Sequence, residues 1–199
     1  RVTGRPISPA RLDRRQARER FGIAADETCV LVFGGSLGAR SINLAAIEAF
    51  TGAGLRVLHV SGRRDYATLA ARVLPEGYDL REYLELEDFA GALAAADLVI
   101  ARAGGSVFEI AAHGLPAILV PYPHASGDHQ RANARWFSQA GAAIVIDDAE
   151  LKGPRLAREV AALLADRSRM ASMAAAARSL ARPEAASLIA RELLGAAGE

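Results

Sequence analysis

Lysine is almost missing from this sequence: Lys152 is the only one in 199 residues, and the other permanently cationic side chains are arginines. A phosphate loop of the G-x-x-x-x-G-K-[ST] type needs a lysine beside its glycines, so nucleotide hydrolysis by that machinery is excluded. Cysteine is as scarce. Cys29 stands alone, so no intrachain disulfide can form, and a reducing, cytosolic setting is expected. Its place in the apolar run Cys29-Val30-Leu31-Val32-Phe33 marks it as a small core residue and not a nucleophile. No apolar stretch approaches the roughly 20 residues that span a bilayer, and the N-terminus lacks the charged-then-apolar plan of a signal peptide. Excess charge of one sign is missing too. The 24 basic and 23 acidic residues leave a net +1, which gives no strong attraction to nucleic acid or an anionic membrane. The chain opens on Arg1 and not Met, and a partner domain is expected upstream.

Apolar residues, by contrast, make up 51% of the chain, enough to bury the core of one domain. Short apolar runs read as buried parallel strands at Cys29 to Phe33, Leu55 to Val60, Tyr78 to Leu84, Asp97 to Ala101, Ala117 to Val120 and Ala143 to Ile146. Between them, Ser41 to Phe50, Tyr66 to Leu74, Asp88 to Ala95, Ser106 to His113 and His129 to Ala140 have helical spacing. Alternation with connections too long for hairpins predicts an α/β fold, a Rossmann-like, doubly wound parallel sheet of about six strands. Extra helices follow at Leu151 to Ala165, Ser168 to Ala181 and Pro183 to Leu194, with Pro183 in a first helical turn. Upstream, Gly4 to Pro9 reads as an extended connector leading into an Arg-rich helix from Pro9 to Phe21, whose arginines are expected on a solvated face. The division is then a connector and first helix over 1–20, a ligand-binding domain over 21–182, and a C-terminal helix over 183–199.

Ligands bind such sheets beyond the carboxyl ends of the strands, so the loops there carry the function. The first strand runs into Gly34-Gly35-Ser36-Leu37-Gly38-Ala39-Arg40 and then a helix. That places a glycine turn, free N–H groups and the Ser36 hydroxyl where a phosphate can sit. Gly35 belongs to the same turn, and Arg40 is either a second phosphate ligand or a salt-bridging helix residue. The glycine spacing is not G-x-G-x-x-G, and the second strand ends in Ser61-Gly62 with no ribose-binding acid, which disfavours a nicotinamide dehydrogenase. A second glycine loop, Arg102-Ala103-Gly104-Gly105-Ser106, leads into a helix carrying Glu109. A carboxylate there suits the two hydroxyls of a ribose, and it also suits the charge of a helix N-terminus.

The third cluster is Pro121-Tyr122-Pro123-His124-Ala125-Ser126-Gly127-Asp128-His129-Gln130, followed by Asn133 and Trp136. Gln130 and Asn133 share a helical face, and their amides suit sugar hydroxyls. His124, Asp128 and His129 do not make a zinc site, because a second cysteine and an i, i+4 histidine pair are both missing. A serine hydrolase elbow is absent as well, since Gly105-Ser106-Val107 lacks the flanking glycine.

With these residues in hand, the chain resembles the MurG family, transferases that move N-acetylglucosamine from UDP-N-acetylglucosamine to a lipid-linked muramoyl-pentapeptide of peptidoglycan. The resemblance rests on Gly34 to Arg40, on Arg102 to Ser106 with Glu109, on Gly114-Leu115-Pro116-Ala117-Ile118-Leu119-Val120-Pro121-Tyr122-Pro123-His124, and on Asp128-His129-Gln130 with Asn133-Ala134. It implies the C-terminal, donor-binding half of a GT-B glycosyltransferase. Ser36 and the loop Gly104, Gly105, Ser106 would hold the pyrophosphate, and Glu109 the ribose. The backbone near Leu84 would read uracil, while Gln130, with His129 and Asn133 close by, would read the sugar. Gly35, Arg40, Arg102 and His124 would support the loops or touch phosphate.

The resemblance further implies that no cofactor or metal is required, since glycine-loop amides stabilise the leaving diphosphate. The partners would be UDP-N-acetylglucosamine and, through a missing N-terminal domain, the lipid-linked acceptor; no nucleic acid is expected. The catalytic base would lie in that missing half, leaving this chain inactive alone, with its last helix packed on the absent domain. The full-length protein would be peripheral on the cytoplasmic face of the bacterial inner membrane. Two departures stand out. Ser8 occupies the position of the family's phosphate-side arginine, with Arg5 or Arg11 as substitutes, and the second glycine loop is one residue shorter than usual between Arg102 and Glu109. The competing readings are another UDP-sugar transferase, a UDP-N-acetylglucosamine 2-epimerase, and a non-catalytic binding module.

Overall fold

The computed structural model describes residues 4–7, 12–51 and 54–197. Six segments form strands, and all but one of them carry apolar side chains at most positions, as parallel strands buried on both faces require. They are β1 (Cys29–Phe33), β2 (Arg56–Val60), β3 (Tyr78–Arg81), β4 (Leu98–Ala101), β5 (Ala117–Leu119) and β6 (Ala143–Val145). All pair in parallel in the order β3-β2-β1-β4-β5-β6, the six-stranded, doubly wound sheet expected. Alternation along β1 divides the core. Cys29, Leu31 and Phe33 face one helical layer, while Val30 and Val32 face the other.

The first layer is built from α1 (Arg14–Arg20), α4 (Leu86–Ala95), α5 (Val107–His113), α6 (His129–Gln139) and α8 (Arg167–Leu180), through Phe21, Leu93, Ile110, Phe137 and Leu180. The second holds α2 (Arg40–Phe50) and α7 (Gly153–Ala165), through Ile42, Phe50, Leu156 and Val160. Burial raises the Cys29 thiol to about 12, so it stays protonated and inert in the first layer.

Several elements differ in extent from the sequence expectation. α3 (Tyr66–Ala70) stops before Leu74, because Pro75 disfavours helical backbone at the residue before it and Val73 is fully exposed. The edge strand β3 ends at Arg81, where the side chains turn polar, and releases Leu84 into a loop. α9 (Ala185–Ala197) begins after Pro183, which lies in the preceding turn. The first helix was expected from Pro9. Residues 9–11 lie outside those described, and α1 starts at Arg14, where Asp13 and Gln16 form a capping box.

The solvated arginine face expected of that helix is corrected by Arg18, which is only 4% exposed. Its guanidinium donates to the carbonyls of Ala24 (2.6 Å), Glu27 and Ala95 (3.0 Å) and lies 3.4 Å from Asp97. Arg14 donates to Ala96 O at 2.7 Å and to Asp97 at 2.6 Å. Asp97 in turn accepts from the Cys29 N–H at 2.8 Å. A forked, rigid donor suits several carbonyls at once, and so α1 is stapled to the start of β1 and the end of α4. Replacing Arg18 by Leu takes the donor from the buried Ala95 carbonyl and from the part-buried carbonyls of Ala24 and Glu27, and a loss of about 3 kcal/mol is expected from chemical denaturation midpoints.

Candidate functional site

Open parallel sheets form a crevice where the winding reverses. From β1 the chain builds β2 and β3 on one side, then returns to place β4 on the other. The reversal lies over the carboxyl ends of β1 and β4, where both glycine loops emerge. A cleft of about 510 Å³ occupies this place.

Gly34, Gly35 and Ser36 line one side of the cleft, and Arg102, Gly104, Gly105 and Ser106 the other. Glu109 enters from α5, Leu84 from the loop after β3, Gln130 from α6 and Arg5 from the connector. Tyr83, Leu86 and Phe89 form an apolar wall, with Phe89 edge-on to Phe33 at 5.0 Å. Among the described residues, the N–H groups of Gly104, Gly105 and Ser106 donate to no backbone carbonyl, and the Leu84 N–H and C=O enter no backbone hydrogen bond. Burial pushes the Glu109 carboxyl up, opposed by the charges of Arg5 and His113. The Gln130 Oε1 accepts from the Tyr122 N–H at 3.0 Å, which turns its amide NH₂ toward Gly104.

The remaining candidates sit elsewhere. Asn133 donates to Ala103 O at 2.9 Å and props the second glycine loop from behind. His129 is exposed and donates through Nδ1 to Ser126 O at 2.7 Å. Neither lines the cleft. Arg102 is committed to a network: it donates to Asp148 at 2.6 Å, to Ser41 Oγ at 2.9 Å and to Val120 O at 3.2 Å, and it stacks on Tyr122. Arg40 and His124 line a neighbouring cleft. Arg40 forms no ion pair with a described residue, unlike the salt-bridging alternative. Ser8 and Arg11 lie outside the described residues.

Asp148 and the wall of Tyr83, Leu86 and Phe89 were not anticipated from the sequence. The loop after β3 was flagged only through Leu84, and nothing local to Asp148 announces a partner 46 residues away.

Two features hold the first glycine loop. Gly38 and Gly62 meet backbone to backbone: a Cβ on Gly38 would lie 2.0 Å from Ser61 O, and one on Gly62 2.1 Å from Gly38 N, with positive φ at both. Beneath them runs a buried polar chain. Asn43 Nδ2 donates to Ser61 O and Asp65, both at 2.9 Å, so its Oδ1 accepts from His59 Nε2–H at 3.0 Å. That assignment leaves His59 Nδ1 to accept from the Tyr78 hydroxyl at 2.7 Å. The imidazole is neutral, and burial lowers its pKa from 6.5 to about 4.

The parallel sheet with its two glycine turns and switch-point cleft has the architecture of the C-terminal, Rossmann-like domain of a GT-B glycosyltransferase. Residues 29–189 match the glycosyltransferase family 28 C-terminal domain, and the chain belongs to that family. It is 44% identical over 206 residues to the UDP-N-acetylglucosamine--N-acetylmuramyl-(pentapeptide) pyrophosphoryl-undecaprenol N-acetylglucosamine transferase of Moorella thermoacetica, covering 97% of this chain and 56% of that protein. Against the transferase of the same name from Chlorobium luteolum it is 43% identical, covering 100% and 55%. The crystal structure of Acinetobacter baumannii MurG superposes with a TM-score of 0.73 at 31% identity, over 89% of this chain and 52% of that one. A UDP-N-acetylglucosamine 2-epimerase from Neisseria meningitidis shares the fold, with a TM-score of 0.65 at 14% identity over 91% and 48%. The chain spans about half the length of the curated relatives it matches.

Gly62→Ala forces the two loops apart, and a loss of about 2 kcal/mol or more is expected in denaturation midpoints. His59 makes a pH-dependent contribution. Its folded pKa lies below the unfolded one, so the unfolded state takes up the proton first. Stability is therefore expected to fall between pH 6.5 and about pH 4, by on the order of 3 kcal/mol. His59→Gln should flatten that part of a stability-against-pH curve.

Proposed function

We propose that this chain is the half of an inverting glycosyltransferase that binds UDP-N-acetylglucosamine, and that the intact protein adds N-acetylglucosamine to a lipid-linked muramoyl-pentapeptide in peptidoglycan synthesis. The observation that carries this reading is the convergence of Leu84, Glu109, both glycine loops and Gln130 on one cleft. These groups offer in turn what a base, a ribose, a diphosphate and a sugar require. The names of the relatives at 43–44% identity support the same donor and acceptor.

The unpaired backbone of Leu84 presents a donor and an acceptor to the uracil edge. The Glu109 carboxylate accepts from both ribose hydroxyls, and their approach favours its charged form against the effect of burial. The Ser36 hydroxyl and the free N–H groups of Gly104, Gly105 and Ser106 face the diphosphate. Arg5, whose guanidinium lies against Gly105, supplies the positive charge that Ser8 does not. Gln130 donates to the sugar hydroxyls, with Asn133 holding the loop beside it and His129 at the rim.

When an acceptor hydroxyl attacks the anomeric carbon from the opposite face, the bond to UDP breaks. The charge that develops on the leaving diphosphate falls where these donors already point. The base that removes the hydroxyl proton belongs to the other half of the intact enzyme, so this chain alone binds donor and transfers no sugar. The last helix, with Leu193 and Leu194 exposed, packs on that half. Among the described residues no helix is long and apolar enough to cross a membrane. We place the intact enzyme peripherally on the cytoplasmic face of the inner membrane, where its acceptor is anchored, with roles in cell shape and division.

Calorimetric titration tests the reading. UDP-N-acetylglucosamine should bind more tightly than UDP-glucose, and equally well in EDTA. Glu109→Ala should weaken both by about tenfold or more, while Gln130→Ala should abolish the preference. Equal affinity for the two nucleotide sugars, loss of binding in EDTA, or transfer of labelled N-acetylglucosamine to lipid acceptor by the 199-residue chain alone would overturn it.

A further inference from the structure

The turn that follows β6 carries Asp148, which lines the neighbouring cleft and not the donor cleft. It is nevertheless tied to the groups that face the donor. Its carboxylate accepts from Arg102 and from the Ser41 hydroxyl, each at 2.6 Å. Arg102 also donates to Ser41 Oγ at 2.9 Å, which closes a ring of three side chains. The side chains of Arg102 and Asp148 are 11% and 23% exposed, so water screens this pair far less than it screens a surface pair.

Arg102 spends the rest of its fork on the exit of β5. It donates to Val120 O at 3.2 Å and to Pro121 O at 3.3 Å, and its guanidinium carbon lies 5.3 Å from the centre of the Tyr122 ring. Tyr122 stands between Pro121 and Pro123. Proline has no N–H, so the Tyr122 N–H is the sole backbone donor from 121 to 123. It donates to Gln130 Oε1 at 3.0 Å. Because a backbone N–H can only donate, the side-chain oxygen must face Tyr122, and the NH₂ is left toward Gly104. Were the exit of β5 free to shift, either end of the amide could turn into the cleft, which would then lose its fixed donor.

We propose that Asp148, on the reading of the donor cleft as a UDP-sugar site, is a positioning residue for the choice of sugar. It acts through Arg102, Tyr122 and Gln130 in turn and keeps the Gln130 NH₂ on the sugar. Removing its carboxylate leaves the Arg102 charge without a partner, and the guanidinium then turns to other acceptors and releases Val120 O and Pro121 O. UDP-sugars have the base, ribose and diphosphate in common, so a misdirected amide at the sugar changes the ratio of their affinities.

Two measurements on the 199-residue chain separate this role from a merely structural one. The first needs no ligand: hydrogen exchange of the assigned Tyr122 N–H by NMR. Asp148→Ala is expected to speed it by about tenfold, toward the rate in Gln130→Ala. The second is the ratio of affinities for UDP-N-acetylglucosamine and UDP-glucose by calorimetry. Asp148→Ala should lower that ratio about as far as Gln130→Ala does, and the double variant no further. Asp148→Asn still offers Oδ1 to Arg102 and Ser41 and should keep the preference. Arg102→Lys, which retains the charge pair and gives up the fork, is expected to match Asp148→Ala in exchange, and it supplies the same reading if Asp148→Ala does not fold. Unchanged exchange at Tyr122, or equal weakening of both sugars with the ratio intact, overturns the positioning role. No preference between the sugars in the unsubstituted chain, with Tyr122 exchange still dependent on Asp148, sinks the donor reading and leaves Asp148 as the residue that orients Gln130.

Discussion

Two loops pressed together at Gly38 and Gly62, with no side chain between them, decide the shape of the ligand-binding edge. The contact carries the turn after β1 back over the end of β2, which leaves Ser36 and its neighbours at the rim of the crevice. It also directs Arg40 and Arg64 into one cleft. Asn43, His59, Asp65 and Tyr78 support the contact from below through hydrogen bonds of 2.7–3.0 Å. Two backbones can approach this closely only where both residues lack a Cβ.

A chain that relies on arginine for nearly all its permanent cations uses the guanidinium in two ways. Where several carbonyls or a carboxylate lie in one plane, as around Arg18 and Arg102, the fork is consumed by the protein and ties distant elements together. Where no hydrogen bond or ion pair to a described residue forms, as at Arg40 and Arg64, the charge is presented to a cleft. The same side chain is structural or ligand-facing according to the acceptors within reach.

Much of the fold was legible because parallel strands buried on both faces cannot hide their apolar runs, and all six strands lie where such runs occur. The edge strand and its neighbouring helix were the exceptions, being shorter than their patterns. At an edge, one missing neighbour and a nearby proline outweigh propensity. The glycine loops, Glu109 and Gln130 were readable as candidates because each follows a strand. Asn133 shared that signal, and its amide Nδ2 donates to Ala103 O behind the second glycine loop. Spacing on a helix shows which residues share a face, but not which loop lies within hydrogen-bonding distance of that face.

The amino-acid sequence by itself determined the alternation of strand and helix, the parallel sheet and the family to which the chain belongs. These follow from local periodicity, glycine placement and the residues of the strand exits. Only the tertiary structure decided that Arg18 is a buried staple, that Arg102 is bound to Asp148, and that Arg40 and Arg64 share a cleft separate from the one containing Glu109. Each of these depends on atoms brought together from segments far apart in the chain, and no local pattern encodes such distances.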